Sequence, residues 1–512
     1  MSPYPYILTV TVLWLLYRWS WSRKLAGLPL PPGPRSLPFL GNVSDIDIVR
    51  PWRTYSEWKE KYGPIVSCRL MGQTVVIINS ERIARQLLDQ RSAIYSDRPT
   101  GPVPKLFGID FITAFLPYGD TLRLHRRLFH QALRSDAADS YRDLYLDKAR
   151  QLLSNLLDSP EAFEKHLFLY TASIIMSVTY GHDKVSWDAP PIKSVAELVE
   201  LINVGLAPER GAILTAFPIL TRLPAWFPGA SFQRIAQRTR KLALESMNEP
   251  FEYVKRNMAA GNAPKSMVSD LLTEMDEGKE AFPEQAVKQI ALTVFVAGFD
   301  TSSSTLSAFI LAMVLNPEAQ QLAQQEIDSI VGVDRLPDFY DRPSLKYVEA
   351  VFRETIRWHT VAPLGLPHAT SSDDVFEGYF IPKGLSADPD CSLILPNIWD
   401  MSREGHDDPD VFKPERHFAS DGTLLPDTIA AKPMWGFGRR GCPGRFIAEA
   451  ATWSAVVHLL AAFRIMKAKD EAGKEIEVKE EFTSGVVCRP VPFQCSFVLR
   501  TTDREKAIRL GD

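Results

Sequence analysis

Apolar positions follow different periods along the chain, and the changes of period mark its elements. From Pro51 to Tyr62 they recur at helical spacing and predict an amphipathic helix. Ile65 to Leu70 and Thr74 to Ile78 are short β-branched runs joined by Met71-Gly72-Gln73, which predicts a hairpin. Glu81 to Gln90 returns to helical spacing. From about 120 to 360 the pattern is mainly helical, with breaks at proline and glycine clusters; from 361 to 400 it is irregular, with short strand-like pieces. The expected fold is mainly α with a minor β part, in one large domain.

Two apolar stretches are long enough to test as membrane spans. Tyr4 to Trp21 contains Leu8, Val10, Val12, Leu13, Leu15 and Leu16 and no acidic residue, with Tyr and Trp at both ends. At roughly 18 residues it just spans a bilayer as a helix. Arg18, Arg23 and Lys24 follow, which places the rest of the chain on the cytosolic side. A cleaved signal peptide is the alternative; the absence of a basic n-region and of a small-x-small cleavage site stands against it. Leu28-Pro29-Leu30-Pro31-Pro32-Gly33-Pro34 reads as a stiff spacer. The expected organisation is an anchor over 1–22, a proline-rich linker over 23–50 and a globular domain over 51–512. The second stretch, Pro283 to Leu315, makes a helix of about 50 Å at 1.5 Å per residue. Gly298, Asp300, Thr301 and Ser302 to Ser304 interrupt it, a polar cluster that is expensive in lipid, so it is expected to be the central helix of the globule.

Composition changes this picture little. With 512 residues, 45% of them apolar, the chain can bury a large core. The net charge of -4, without charge blocks, gives no sign of nucleic-acid binding. The five cysteines (Cys68, Cys391, Cys442, Cys488, Cys495) form no CxxC pair, which disfavours zinc, iron–sulfur and disulfide frameworks and suits a reducing compartment.

One cysteine differs from the others. Trp435-Gly436-Phe437-Gly438-Arg439-Arg440-Gly441-Cys442-Pro443-Gly444 is a glycine-rich, doubly basic loop running into an apolar helical pattern from Arg445. The glycines let the backbone wrap a sulfur, and the helix start that follows offers N–H groups and a positive end to a thiolate. Such a thiolate suits a haem iron as axial ligand and favours O–O cleavage over oxygen carriage. An ordinary buried cysteine in a turn is the competing reading. Two further clusters stand out. Ala297-Gly298-Phe299-Asp300-Thr301 sets a carboxylate and a hydroxyl beside a glycine, in the middle of the long helix. It reads either as a locally widened helix that relays protons, or as a packing notch with the hydroxyl bonded to the i−4 carbonyl. Glu354 and Arg357 share a helix face, with Phe412-Lys413-Pro414-Glu415-Arg416-His417-Phe418 further on.

Taken together, the cysteine loop, the Ala297–Thr301 segment, Glu354-Thr355-Ile356-Arg357 and the Arg416 segment resemble the motifs of the cytochrome P450 family, in the family's order and over nearly the whole chain. The resemblance implies the cytochrome P450 fold, with Cys442 as the iron's axial ligand in a loop shaped by Gly438 and Gly444. Trp435 stands where the family has phenylalanine. Asp300 and Thr301 would deliver protons. Glu354, Arg357 and Arg416 would form a buried structural triad, although the family often has Arg-Phe where this chain has Arg416-His417-Phe418. Arg440, Arg126 and His368 would meet the haem propionates; Leu122 replaces the tryptophan that usually precedes Arg126 by four. The pocket wall would comprise Thr100 to Phe115, Phe295 to Thr301, Val361 to Leu366 and Ser484 to Val487, with Leu223 to Gly229 in an aromatic lid. The segments Arg91 to Pro99 and Leu223 to Gly229 look like fungal members.

By that resemblance the expected function is hydroxylation of an apolar small molecule by a monooxygenase, in secondary metabolism. It would use haem b (iron protoporphyrin IX) and electrons from NADPH through NADPH–cytochrome P450 reductase, with cytochrome b5 as an optional second donor. A single-pass anchor in the endoplasmic reticulum membrane would hold it against lipid. A haem-thiolate isomerase or dehydratase that needs no reductase, and a non-catalytic haem-binding protein, are the alternatives.

Overall fold

The computed structural model describes residues 27–509 except 39, 100, 184, 207–213, 215–217, 279–280, 385–391 and 427–431. The expected anchor over 1–22 and Cys391 lie outside the described residues.

Four helices form the centre: Arg142–Asp158, Phe163–Tyr180, Glu284–Leu315 and Arg445–Ala462. Each packs on two of the others in a closed ring. Helices buried on one side need only an apolar stripe, but Glu284–Leu315 is buried all round from Ser303 to Val314, and Arg445–Ala462 from Ala451 onward. That explains why Glu284–Leu315 has the length and hydropathy of a membrane span while most of its apolar window lies inside the protein. Gly298 leaves room for Phe163–Tyr180, since a Cβ there would lie 2.6 Å from the Ile175 Cδ1. The helix continues unbroken through Ala297–Thr301, so the expected widening is absent. Side-chain hydroxyls instead cap its carbonyls: Thr171 and Ser303 both donate to the Phe299 oxygen, at 3.2 and 3.0 Å.

The strands are β1 (Ile65–Leu70), β2 (Gln73–Ile78), β3 (His368–Ala369), β4 (Asp374–Phe376), β5 (Tyr379–Ile381), β6 (Ser392–Pro396), β7 (Phe463–Lys467) and β8 (Cys495–Leu499). The main sheet has the order β1-β2-β6-β3, with β1/β2 antiparallel and β2/β6 parallel. β4/β5 and β7/β8 are separate hairpin-like pairs. Met71 and Gly72 both take positive φ in the tight β1–β2 turn. The helix Pro51–Tyr62 starts with proline at its first position, buries Trp52, Tyr55 and Trp58, and stops at Gly63, whose φ is 98°.

Two local expectations change. Pro29–Gly33 is docked on the sheet, where a free spacer is expected. The Pro32 and Pro31 carbonyls accept from the Ser67 N–H and hydroxyl at 2.9 and 2.5 Å, and the Pro29 carbonyl accepts from the Phe380 N–H. Proline lacks a donor but keeps its acceptor, so a proline run can only cover a sheet edge. The expected helix over 81–90 is α only at Glu81–Ala84; Arg85–Gln90 widens to a π-helix, which carries Leu88 and Asp89 up against the cysteine loop.

Candidate active site

The cysteine loop is shaped before its thiol is considered. Gly438 has φ 49°, and a Cβ there would lie 2.3 Å from the Leu88 oxygen. Its N–H donates to the Asp89 carboxylate. The Cys442 N–H donates to the Trp435 oxygen at 2.7 Å, closing the loop over itself. Gly444 differs: its φ is −87°, and nothing lies within 4 Å of where its Cβ would stand. The helix Arg445–Ala462 begins immediately afterwards.

Cys442 is a free thiol held among positive charges. Burial pushes its pKa up, while the Gly444 N–H and the Arg126 and Arg445 guanidiniums pull it down. Arg126, from the helix Asp120–Leu133, donates to the Gly441 oxygen, and Arg445 donates to the Cys442 oxygen at 2.9 Å. Trp435 Nε1 and Arg445 Nε are buried donors without a hydrogen-bond acceptor among the described residues. Buried donors are ordinarily satisfied, so these two, beside a sulfur that charges favour as an anion, suit a bound anionic group.

A second cationic cluster lies alongside. Arg440 donates to the carbonyls of Ser96 (2.7 Å), Thr113 (3.4 Å) and Leu116 (2.6 Å), which leaves part of its five-donor fork unused. His368 Nδ1 bonds the Tyr95 oxygen at 2.8 Å. Arg98, which the sequence reading did not single out as a site residue, completes the cluster by donating to the carbonyls of Ala114, Leu366 and Pro367. Burial, and then the Arg98 and Arg440 charges, hold the His368 imidazole neutral. Asp97 is the anion that acts on both arginines. Buried cations in excess of buried anions are costly alone, so the cluster suits the carboxylates of a haem.

Glu354 is fully buried and completely used. Arg357 donates to both its oxygens at 2.8 Å, Arg416 Nε donates at 3.0 Å, and the Lys413 N–H donates at 2.8 Å. His417 Nε2 adds a fourth partner at 3.0 Å, so the residue that departs from the motif joins the cluster. Burial works to raise the Glu354 pKa, but these bonds and charges outweigh it and bring it down to about 2. The remaining arginine donors reach the carbonyls of Asp407, Asp408, Pro409 and Val411, so the triad organises a loop as well as a charge.

Asp300 and Thr301 are adjacent in sequence but keep separate partners. The Thr301 hydroxyl donates to the Ala297 oxygen at 2.8 Å, the i−4 bond of the competing reading. The Asp300 carboxylate is 5% exposed; Oδ2 accepts from Asn203 Nδ2 at 3.1 Å, and Oδ1 lies 4.0 Å from Arg489 Nη1. Burial raises its pKa, against the Arg489 charge and the Asn203 bond.

The expected pocket walls meet in part: the central helix joins the wall over 103–112 through Leu292 and Val296, whereas its Phe295 and Phe299 pack on Tyr180 and Phe168 in the core. Val103, Phe107, Ile109 and Ile112 pack with Leu198, Ile202 and Leu292 in one apolar cluster under the helices Pro190–Gly205 and Ser231–Ala259. Arg98 ties that wall to Leu366, the Cys488 N–H ties the last wall to the Val361 oxygen, and Arg489 ties it to the central helix. The Leu223–Gly229 segment stands at the surface, with Trp226 79% exposed.

A helical globule with a small mixed sheet and a cysteine loop feeding a buried helix defines a haem-thiolate protein class. Comparison with known proteins agrees. The family model described as Cytochrome P450 matches residues 31–497. The chain is similar to Cytochrome P450 monooxygenase claR of Ampulloclitocybe clavipes, 39% identical over 94% of this chain and 89% of the relative. Cytochrome P450 monooxygenase COX1 of Coprinopsis cinerea is 37% identical over 94% and 93%, and Cytochrome P450 monooxygenase 136 of Postia placenta 36% over 98% and 94%. The chain belongs to the cytochrome P450 family. It is a monooxygenase, an oxidoreductase of the kind found in fungi, and its family uses haem and a reductase as electron donor.

Proposed function

We propose that this enzyme hydroxylates an apolar small molecule, a terpenoid, polyketide or alkaloid, in a fungal secondary-metabolite pathway. The observation that carries the site reading is the setting of Cys442, a lone thiol between the Gly444 N–H and two guanidiniums, at the head of a buried helix. When bound, haem b supplies the activation of dioxygen, with electrons from NADPH through a cytochrome P450 reductase and from cytochrome b5 as a second donor. Cys442 would hold the haem iron through its sulfur, and Arg126 and Arg445 would stabilise its anionic form. Trp435 shields the sulfur, and Gly438 and Gly444 shape the loop around it. Arg440, Arg126 and His368, joined by Arg98, would hold the propionates. Glu354, Arg357 and Arg416 fix the loop over 407–413. Asp300 and Thr301 hold and pass protons in a site that the apolar walls keep dry. Those walls orient a substrate with few polar groups.

An anchor over 1–22 in the endoplasmic reticulum membrane, with a catalytic domain that takes in the docked Pro29–Gly33 segment, completes the reading. Its support is the apolar, acid-free N-terminus and the exposed Trp226 and Phe227. The test is the carbon monoxide difference spectrum of reduced protein in membranes. A red-shifted thiolate-type band that Cys442→Ser abolishes is the expected result; a histidine-type band in folded wild type refutes the ligand assignment.

A further inference from the structure

The partners of the Asp300 carboxylate come from neither its own helix nor the cysteine loop. Asn203 lies near the end of the helix Pro190–Gly205, next to Ile202 of the apolar pocket cluster. Arg489 follows the Ser484–Val487 wall, its backbone fixed by a reciprocal pair with Thr483: the Thr483 N–H donates to the Arg489 oxygen at 2.8 Å, and the Arg489 N–H to the Thr483 hydroxyl at 3.1 Å. The Arg489 side chain is 49% exposed, whereas that of Asp300 is 7% exposed, so the guanidinium bridges solvent and a buried carboxylate. The Arg489 charge also acts on Glu164, at the start of the helix Phe163–Tyr180. The groups that face the Asp300 carboxylate are therefore Asn203 from one wall and Arg489 from another, and the same arginine acts on Glu164.

A carboxylate buried without a cation takes up a proton, and one hydrogen-bonded at Oδ2 with a guanidinium 4.0 Å from Oδ1 is both held in orientation and favoured as an anion. We propose that Arg489 and Asn203 are positioning residues that hold the Asp300 carboxylate ionised and oriented, so that two walls of the substrate pocket set when it can carry a proton. The inference rests on Asp300 acting in proton delivery. It assigns the control of that step to residues outside the helix motif, with Glu164 and Arg489 as the charged route to solvent.

Infrared spectroscopy of the holoenzyme reads this directly. Wild type at neutral pH should lack the C=O stretch of a protonated Asp300. Arg489→Gln should show that band, and Asp300→Asn in the same background should remove it. Arg489→Lys should restore the wild-type spectrum. Asn203→Leu should shift the titration the same way, and loss of Arg489 should raise the midpoint by about one unit or more, tenfold in proton affinity. The carbon monoxide spectrum confirms that each variant is folded and loaded. An Asp300 titration indifferent to both Arg489 and Asn203 overturns the inference. Failure of the underlying reading looks different: Asp300→Asn would leave unchanged the share of NADPH electrons released as hydrogen peroxide instead of water, whatever the infrared result.

Discussion

Gly438 sits directly beneath the carbonyl of Leu88, where an added Cβ would stand 2.3 Å from the oxygen. The contact joins the cysteine loop to the π-helical turn Arg85–Gln90 and holds Gly438 at φ 49°. Both the clash and the backbone conformation oppose any side chain. Gly438→Ala should therefore displace the loop, with most of the thiolate-type carbon monoxide band lost per mole of protein. Gly444→Ala is the informative contrast. Its φ is ordinary and no protein atom lies near, so the apoprotein should keep its melting temperature. If haem occupies that open space, the same variant should lose haem affinity alone, a difference that haem titration of apoprotein measures.

Glu354 accepts five hydrogen bonds from four residues on its two oxygens and is fully buried. Glu354→Ala strands buried guanidiniums and should cost roughly 3–5 kcal/mol, seen as protein that no longer retains haem. His417→Phe removes one neutral-capable partner and leaves the arginines paired, so it should cost only about 1–2 kcal/mol and keep the haem. Urea titrations of the two variants side by side check the order; equal losses would show that the histidine is as necessary as the carboxylate.

Much of this was legible in the sequence because the signals are local. β-branched runs around Met71-Gly72 specify the hairpin, and the observed strands differ from expectation by one residue. The spacing of Trp52, Tyr55 and Trp58 specifies their helix. The cysteine loop is equally local, as its glycines, arginines and thiol are contiguous. Residues that act across long separations left no such trace. Arg98 is an ordinary arginine until Leu366 and Pro367 fold over it, and nothing near Arg489 or Asn203 announces Asp300. The π-turn Arg85–Gln90 lies against Gly438, a contact between distant segments that no local periodicity encodes. The docking of Pro29–Gly33 on β1 depends on Ser67 offering a free edge, so a stretch read as spacer became part of the sheet.

Acid should destabilise the protein in two windows. His125, His359 and His458 are buried, and burial lowers each pKa to about 4. Their folded pKa values lie below the ordinary 6.5, so unfolded chains bind protons first as pH falls. The stability they preserve is complete above about pH 6.5 and drains away toward pH 4, with a slope approaching roughly 4 kcal/mol per pH unit for three protons. Glu354, lowered from 4.5 to about 2, acts in the next window. Its contribution of about 3 kcal/mol is present above pH 4.5 and is lost as pH falls through 2. Melting temperatures from pH 7.5 to 4 should therefore fall most steeply below pH 6, and a flat profile down to pH 5 would contradict the neutral burial of the three histidines.

Trp226 and Phe227 project from the surface segment Leu223–Gly229, 79% and 42% exposed, and Ile219 nearby is 65% exposed. Isolated apolar residues on a surface need no explanation, but aromatic side chains clustered at one exposed turn gain most by entering an interface between water and lipid. Each ring that leaves water is worth about 1–3 kcal/mol. A chain beginning after residue 22 should consequently still sediment with neutral phosphatidylcholine vesicles, and Trp226→Ser with Phe227→Ser should release it, with an unchanged carbon monoxide spectrum. High salt should not release the parent chain, since apolar insertion is unscreened whereas attraction between charges weakens within a Debye length. Release by salt would assign the attachment to charge and remove Trp226 from it.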